Sequence, residues 1–172
     1  MRTVGQTGDT GRGQAARRRR AVVAFLAAAL AISSAASAAV RLDDWAGYWT
    51  GAGKVYLSNG KTEQVKCVVT YKITGPQLRQ NIRCASQGFS FNGTSELHVA
   101  QNGAVTGNWT ENTYSAQGDV TGNAGEGNFK LAISGVTFTA VMTAAMTGCK
   151  QTLDIVPTGL EVTHIAIGLG KC

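Results

Sequence analysis

Beyond residue 38 the chain shows no sustained helical period. Short segments in which Val, Thr, Tyr, Phe and Ile alternate with polar or small residues recur about every ten to fifteen positions, separated by Gly and Asn. That is the spacing of an all-β sandwich or barrel. The turn signals are Ser58-Asn59-Gly60, Thr74-Gly75-Pro76-Gln77, Gln101-Asn102-Gly103, Thr147-Gly148 and Pro157-Thr158-Gly159. Each supplies a residue that tolerates positive φ, or a proline that presets a turn. The pattern predicts strands at 46–57, 61–73, 78–86, 93–100, 104–111, 117–122, 127–134, 136–145, 150–156 and 162–169. Eight to ten strands in one chain of this size imply an antiparallel meander in which sequence neighbours pair.

The cysteines test the register. Val65, Cys67, Val69, Tyr71 and Ile73 share one face of their segment, and Leu78, Ile82 and Cys84 share one face of the next. Folding the two about Gly75-Pro76 sets Ile73 opposite Leu78, Val69 opposite Ile82 and Cys67 opposite Cys84. Opposed strand residues lie close enough for a disulfide. In the last hairpin, pairing Leu153 with Ile167 and Ile155 with Ile165 brings Cys149 near residue 171, so Cys172 can reach it. Swapped partners, or reduced buried thiols, remain as alternatives.

The N-terminus changes the charge argument. Arg17, Arg18, Arg19 and Arg20 precede an apolar run over 21–32 and a small-x-small sequence, Ala36-Ser37-Ala38. This order reads as a secretory signal peptide over 1–38, followed by a single domain over 39–172. The run is short for a membrane span, so no membrane association is expected after cleavage. Removing the leader leaves ten basic and nine acidic residues, net +1, against +6 for the whole chain. The remaining Lys and Arg are scattered singly, so no nucleic-acid partner is implied. All four cysteines fall in the mature part, which suits an oxidising compartment, periplasmic or extracellular. With no CxxC or CxxH spacing and only two histidines, no metal site is predicted.

The stretch "WAGYWTGAG" at 45–53 places Trp45, Gly47, Trp49, Gly51 and Gly53 on one parity, continued by Val55 and Leu57. If that face is interior, large rings sit beside residues with no side chain, as in the tapered end of a small barrel. Gly47-Tyr48-Trp49 resembles the Gly-x-Trp on the first strand of calycin-type barrels: lipocalins, fatty-acid-binding proteins and avidins. A second instance is Gly107-Asn108-Trp109. The resemblance implies a closed calycin-like barrel whose floor the Trp closes against a late basic residue. Only His164 and Lys171 stand in the last stretch, so that basic residue reads as absent or displaced. "WTGAGKVYLSNGKTEQVKCVVTY", "LRQNIRCAS", "VTGNWTE", "TFTAVMT" and "KQTLDIVP" are also similar to small exported alphaproteobacterial proteins of unassigned function, which implies an envelope β-domain and no named activity.

No catalytic set emerges. A hydrolase nucleophile needs a base and an orienting acid, and His98 and His164 both fall on the non-core parity of their strands. No cofactor is expected. The stretch "GDVTGNAGEGN" at 118–128 offers Asp119, Asn123, Glu126 and Asn128 as oxygen ligands, but its spacing fits no EF-hand and its residues are those of an ordinary turn. The expected function is therefore a non-enzymatic barrel binding a small hydrophobic or aromatic ligand, lined by Trp45, Trp49, Tyr71, Trp109 and Phe138. The alternative is a solid barrel whose loops engage or inhibit an envelope protein.

Overall fold

In a computed structural model, residues 40–172 are described; the leader expected over 1–38 lies outside them. A 3-10 helix, Leu42–Trp45, precedes ten strands: β1 (Gly47–Leu57), β2 (Thr62–Thr74), β3 (Gln77–Ala85), β4 (Ser90–Val99), β5 (Ala104–Glu111), β6 (Ala116–Gly125), β7 (Asn128–Gly135), β8 (Thr139–Thr147), β9 (Lys150–Thr158) and β10 (Val162–Gly170). Each strand pairs antiparallel with its sequence neighbour, and β1 pairs with β10 to close the barrel. Closure satisfies every strand edge, which an open meander leaves unpaired.

Alternation sets which side chains fill the interior. On β2, Val65, Cys67, Val69 and Tyr71 are buried while Lys66 and Lys72 face out. The register of the first cysteine hairpin is the expected one, with Ile73 opposite Leu78, Val69 opposite Ile82 and Cys67 opposite Cys84. Cys67–Cys84 is a disulfide inside the barrel, and Cys149–Cys172 is a second that ties down the C-terminus. The last hairpin pairs Leu153 with Ile167 and Ile155 with Ile165.

Several expectations are corrected by the pairing. The stretch 118–128 is not a turn following the strand predicted at 117–122: β6 runs on to Gly125 and meets β7 through the two-residue turn Glu126-Gly127, Gly127 having φ 67°. The small and polar residues there mark a close, outward-facing ladder, in which Thr121 pairs with Ala132 and Asn123 with Lys130. Residues 136–138 are a loop, and β8 begins at Thr139; the amide of Gly135 donates to the carbonyl of Phe138 across this loop at 2.9 Å. Trp45 belongs to the 3-10 helix and not to β1, and Gly47 is exposed, its φ of 118° turning the chain into the first strand. Gly51 and Gly107 make no room in the interior. A Cβ at Gly51 would meet the carbonyl of Gly168, and one at Gly107 the carbonyl of Glu96, so they mark where neighbouring backbones approach too closely for a side chain.

The strands define two ends. The floor gathers the 3-10 helix, the C-terminus and the turns at 75–76, 100–103, 126–127 and 148–149; the mouth gathers the loops at 58–61, 86–89, 112–115, 136–138 and 159–161.

Candidate functional site

The residues expected to line one cavity divide between these ends. Trp45, Trp49 and Tyr71 lie at the floor; Trp109 and Phe138 lie at the mouth.

At the floor, Trp49 is 0% exposed and its indole Nε1–H donates to the carbonyl of Trp45 at 2.9 Å. The 3-10 helix is thereby fastened beneath the barrel. Trp45 packs edge-on against Phe129, with centroids 4.9 Å apart, and against Tyr71 at 5.8 Å. The basic residue read as absent or displaced is present: Lys171, one position past β10, carries its ammonium 4.7 Å from the centre of the Trp49 ring. It also donates to the carbonyl of Asp44 at 2.6 Å. A cation over an indole face is attracted by the ring quadrupole. The Lys171 amide donates to the carbonyl of Cys149 at 3.2 Å, so the terminal disulfide holds the lysine in place. Strand parity missed Lys171 because it follows the last ladder pair.

Above the floor, polar side chains enter the interior. Gln80 Nε2 donates to Tyr71 Oη at 2.9 Å, Gln151 Nε2 donates to the same oxygen, and Ser95 Oγ donates to Gln80 Oε1 at 3.4 Å. Burial pushes the Tyr71 phenol up to about 12, the two amides drawing it back only in part. It is therefore neutral at any ordinary pH. Gln80, Ser95 and Gln151 share the inward parity of Leu78, Leu97 and Leu153; their polar character hid them in the sequence.

At the mouth, Trp109 stacks near Phe91 with centroids 6.1 Å apart and meets Phe138 edge-on at 5.7 Å. Gly135 admits Phe138, whose ring occupies the space a Cβ there would need. Phe89, Phe91 and Trp109 are only half-buried. Glu111 orders the adjoining loop. Its carboxylate accepts the backbone amides of Asn92 at 2.9 Å, Thr113 at 2.9 Å and Tyr114 at 2.6 Å. Burial alone would push this carboxyl up, but these donors outweigh it and the pKa falls below its ordinary 4.5. A depressed carboxylate contributes stability that is complete above its ordinary pKa and is lost as pH falls through the folded value. Glu111→Gln is therefore expected to cost about 1–2 kcal/mol at neutral pH and to flatten the loss of stability below about pH 4.5. Urea titrations of both proteins at several pH values check this; an unchanged acid limb would refute it.

Each of two interior voids measures about 10 Å³. One lies towards the floor, bounded by Trp45, Tyr71, Gln80 and Phe129; the other lies towards the mouth, bounded by Ile82, Phe89, Phe91 and Ile165. Room of this size suits a single water-sized group, against about 300–1,000 Å³ for a drug-sized ligand.

The histidines lie on the outer face. His98 Nδ1 is 3.0 Å from Gln77 Nε2. His164 Nε2 is 2.7 Å from Asp154 Oδ2, and its ring stacks on Tyr56 at 5.2 Å. Among the described residues, no hydroxyl or thiol is hydrogen-bonded to either ring. Among the described residues no group of three His, Cys, Asp or Glu side chains is placed to hold a metal. Nor is any helix there long and apolar enough to cross a membrane.

No family model and no curated protein sequence matches this chain. Among solved structures it is similar to Rv2717c from M. tuberculosis, at 15% identity and TM-score 0.59, over 76% of this chain and 94% of that one. It is also similar to the S-type phycobiliprotein lyase CPES from Guillardia theta, at 10% identity and TM-score 0.55, over 76% and 89% of the two chains. A third is a protein of unknown function from the DUF3598 family of Nostoc punctiforme, at 11% identity and TM-score 0.56, over 78% of this chain and 50% of that one. The likeness is one of fold: a closed antiparallel β-barrel.

Proposed function

We propose that the chain is an exported, non-enzymatic binding barrel that takes a small hydrophobic or aromatic ligand through its mouth. The supporting observation is the difference between the two ends. The floor is stapled by Cys149–Cys172, capped by the 3-10 helix and locked by Lys171 over Trp49. The mouth presents the half-buried rings of Phe89, Phe91 and Trp109, the aromatic surface a ligand of this kind favours. Since the voids are small, the ligand must part these rings on entry. Two disulfides fit an oxidising compartment, and Lys66, Lys72, Arg79, Arg83 and Lys130 are exposed on the outer face, which suits a barrel standing in water and not in lipid. That one similar barrel is a phycobiliprotein lyase is compatible with small-molecule binding here.

The second reading, a solid barrel acting through its loops on an envelope protein, draws on Tyr114, Val136 and Leu160. These side chains, 65%, 91% and 46% exposed, stand on three successive mouth loops.

The neutral fluorophore N-phenyl-1-naphthylamine separates the readings. Its emission is expected to rise on binding, and Trp109→Ala to weaken the binding about tenfold, while Trp49→Phe at the floor leaves it unchanged. Absence of binding, together with a specific periplasmic partner lost on Tyr114→Ser/Val136→Ser, would replace the first reading with the second.

A further inference from the structure

The floor half of the barrel carries more polarity than packing alone requires. Tyr71, Gln80, Ser95 and Gln151 are 7%, 4%, 6% and 2% exposed. They come from β2, β3, β4 and β9, with Tyr71 opposite Gln80 and Gln80 opposite Ser95. In this neighbourhood two buried atoms have no hydrogen-bond partner: Trp45 Nε1, a donor, and Gln151 Oε1, an acceptor. Buried polar atoms are almost always paired, so two orphans together call for an explanation. Trp45, Tyr71 and Gln80 border the floor void of about 10 Å³, and Gln151 is one hydrogen bond away on Tyr71 Oη.

We infer that this void seats the polar head of the ligand, and that the head is uncharged and carries both an acceptor for Trp45 Nε1–H and a hydrogen-bonding partner for the unpaired atom of the Gln151 side-chain amide. An alcohol on an apolar body has this chemistry, and its hydroxyl is the water-sized group the void admits. The inference rests on the binding reading above and adds the class of ligand to it.

Charge decides against an acid or an amine. Among the described residues, Glu111 is the single charged side chain counted as buried, and its carboxylate is held by loop amides at the mouth. Lys171, a cation seated at the floor, gives its ammonium to the Trp49 face and the carbonyls of Asp44 and Ala46. A carboxylate or ammonium head would thus be desolvated without a counter-ion, which costs far more than one hydrogen bond returns. We place the apolar body on the mouth side, where the second void is walled by Val55, Ile82, Ile155, Ile165 and Ile167.

The test titrates the protein at neutral pH with hexanamide, 1-hexanol, hexanoate and hexane, following the indole N–H resonances by 15N NMR. 1-Hexanol is expected to bind about tenfold more tightly than hexanoate and hexane and to move the Trp45 indole resonance, with hexanamide, whose head exceeds the void, weaker than the alcohol. Gln151→Met should abolish that preference while hexane still binds. Equal binding of all the probes, tighter binding of hexanoate, or an unmoved Trp45 indole would overturn the inference and leave the binding reading standing. If none binds, hexane included, both fall. The Trp45 resonance is read in the unaltered protein, so the outcome does not depend on how well the variant folds.

Discussion

Trp49→Ala is expected to lower the unfolding free energy by about 3–5 kcal/mol, the largest effect of any single truncation in this molecule. The side chain is 0% exposed, so its loss removes a full aromatic burial and opens a cavity at a place with little freedom to collapse. The neighbours that would have to close the gap are themselves fixed. The 3-10 helix is tied to β1 by the Trp49 indole, and Lys171 is tied to Cys149 by the backbone and to Asp44 by its ammonium. Removing the ring therefore also frees the helix and leaves a half-buried ammonium without its aromatic partner. Trp49→Phe separates the contributions: it keeps most of the packing and loses the N–H donor to Trp45, for a cost of about 1–2 kcal/mol. Urea unfolding followed by far-ultraviolet circular dichroism reads both. A loss below about 1 kcal/mol for alanine would mean that the floor is not anchored through this residue.

The paired substitution Cys67→Ala/Cys84→Ala is expected to cost about 3 kcal/mol, and unlike the tryptophan change it acts largely on the unfolded chain. The bridge links positions 17 residues apart whose Cα atoms are 4.1 Å apart across the β2–β3 hairpin. Cutting it returns loop entropy to the unfolded state without requiring the hairpin to open, because the Val69–Ile82 and Ile73–Leu78 pairs retain the register. The variant should therefore keep its native spectrum and ligand response while its urea midpoint falls. A collapsed spectrum would show that the bridge specifies the hairpin and does not merely hold it.

Much of this architecture was legible as parity. Cys67 and Cys84 reveal their partnership because each sits in phase with aliphatic neighbours, and Leu153, Ile155, Ile165 and Ile167 reveal theirs in the same way. The reading failed where composition replaced periodicity. The Gly-rich residues 123–125 read as turn beyond the strand expected at 117–122 although they are paired strand, and 136–138 read as strand although the chain turns there so that Phe138 can cover Gly135. The candidate site was legible in its aromatic members and illegible in its polar ones, since Gln80, Ser95 and Gln151 look like surface residues until a wall stands on every side of them.

By itself the sequence determined the inward face of the aliphatic and aromatic positions and which neighbouring strands meet, and it favoured the two cysteine pairs that the structure joins, because a period of two residues is a local property of an antiparallel ladder. Only the tertiary structure decided that Lys171 comes to rest on Trp49, that the five expected ligand-lining rings belong to opposite ends, and that the interior retains small voids. Those outcomes depend on how the barrel closes and how its contents fill it, quantities set by all ten strands together.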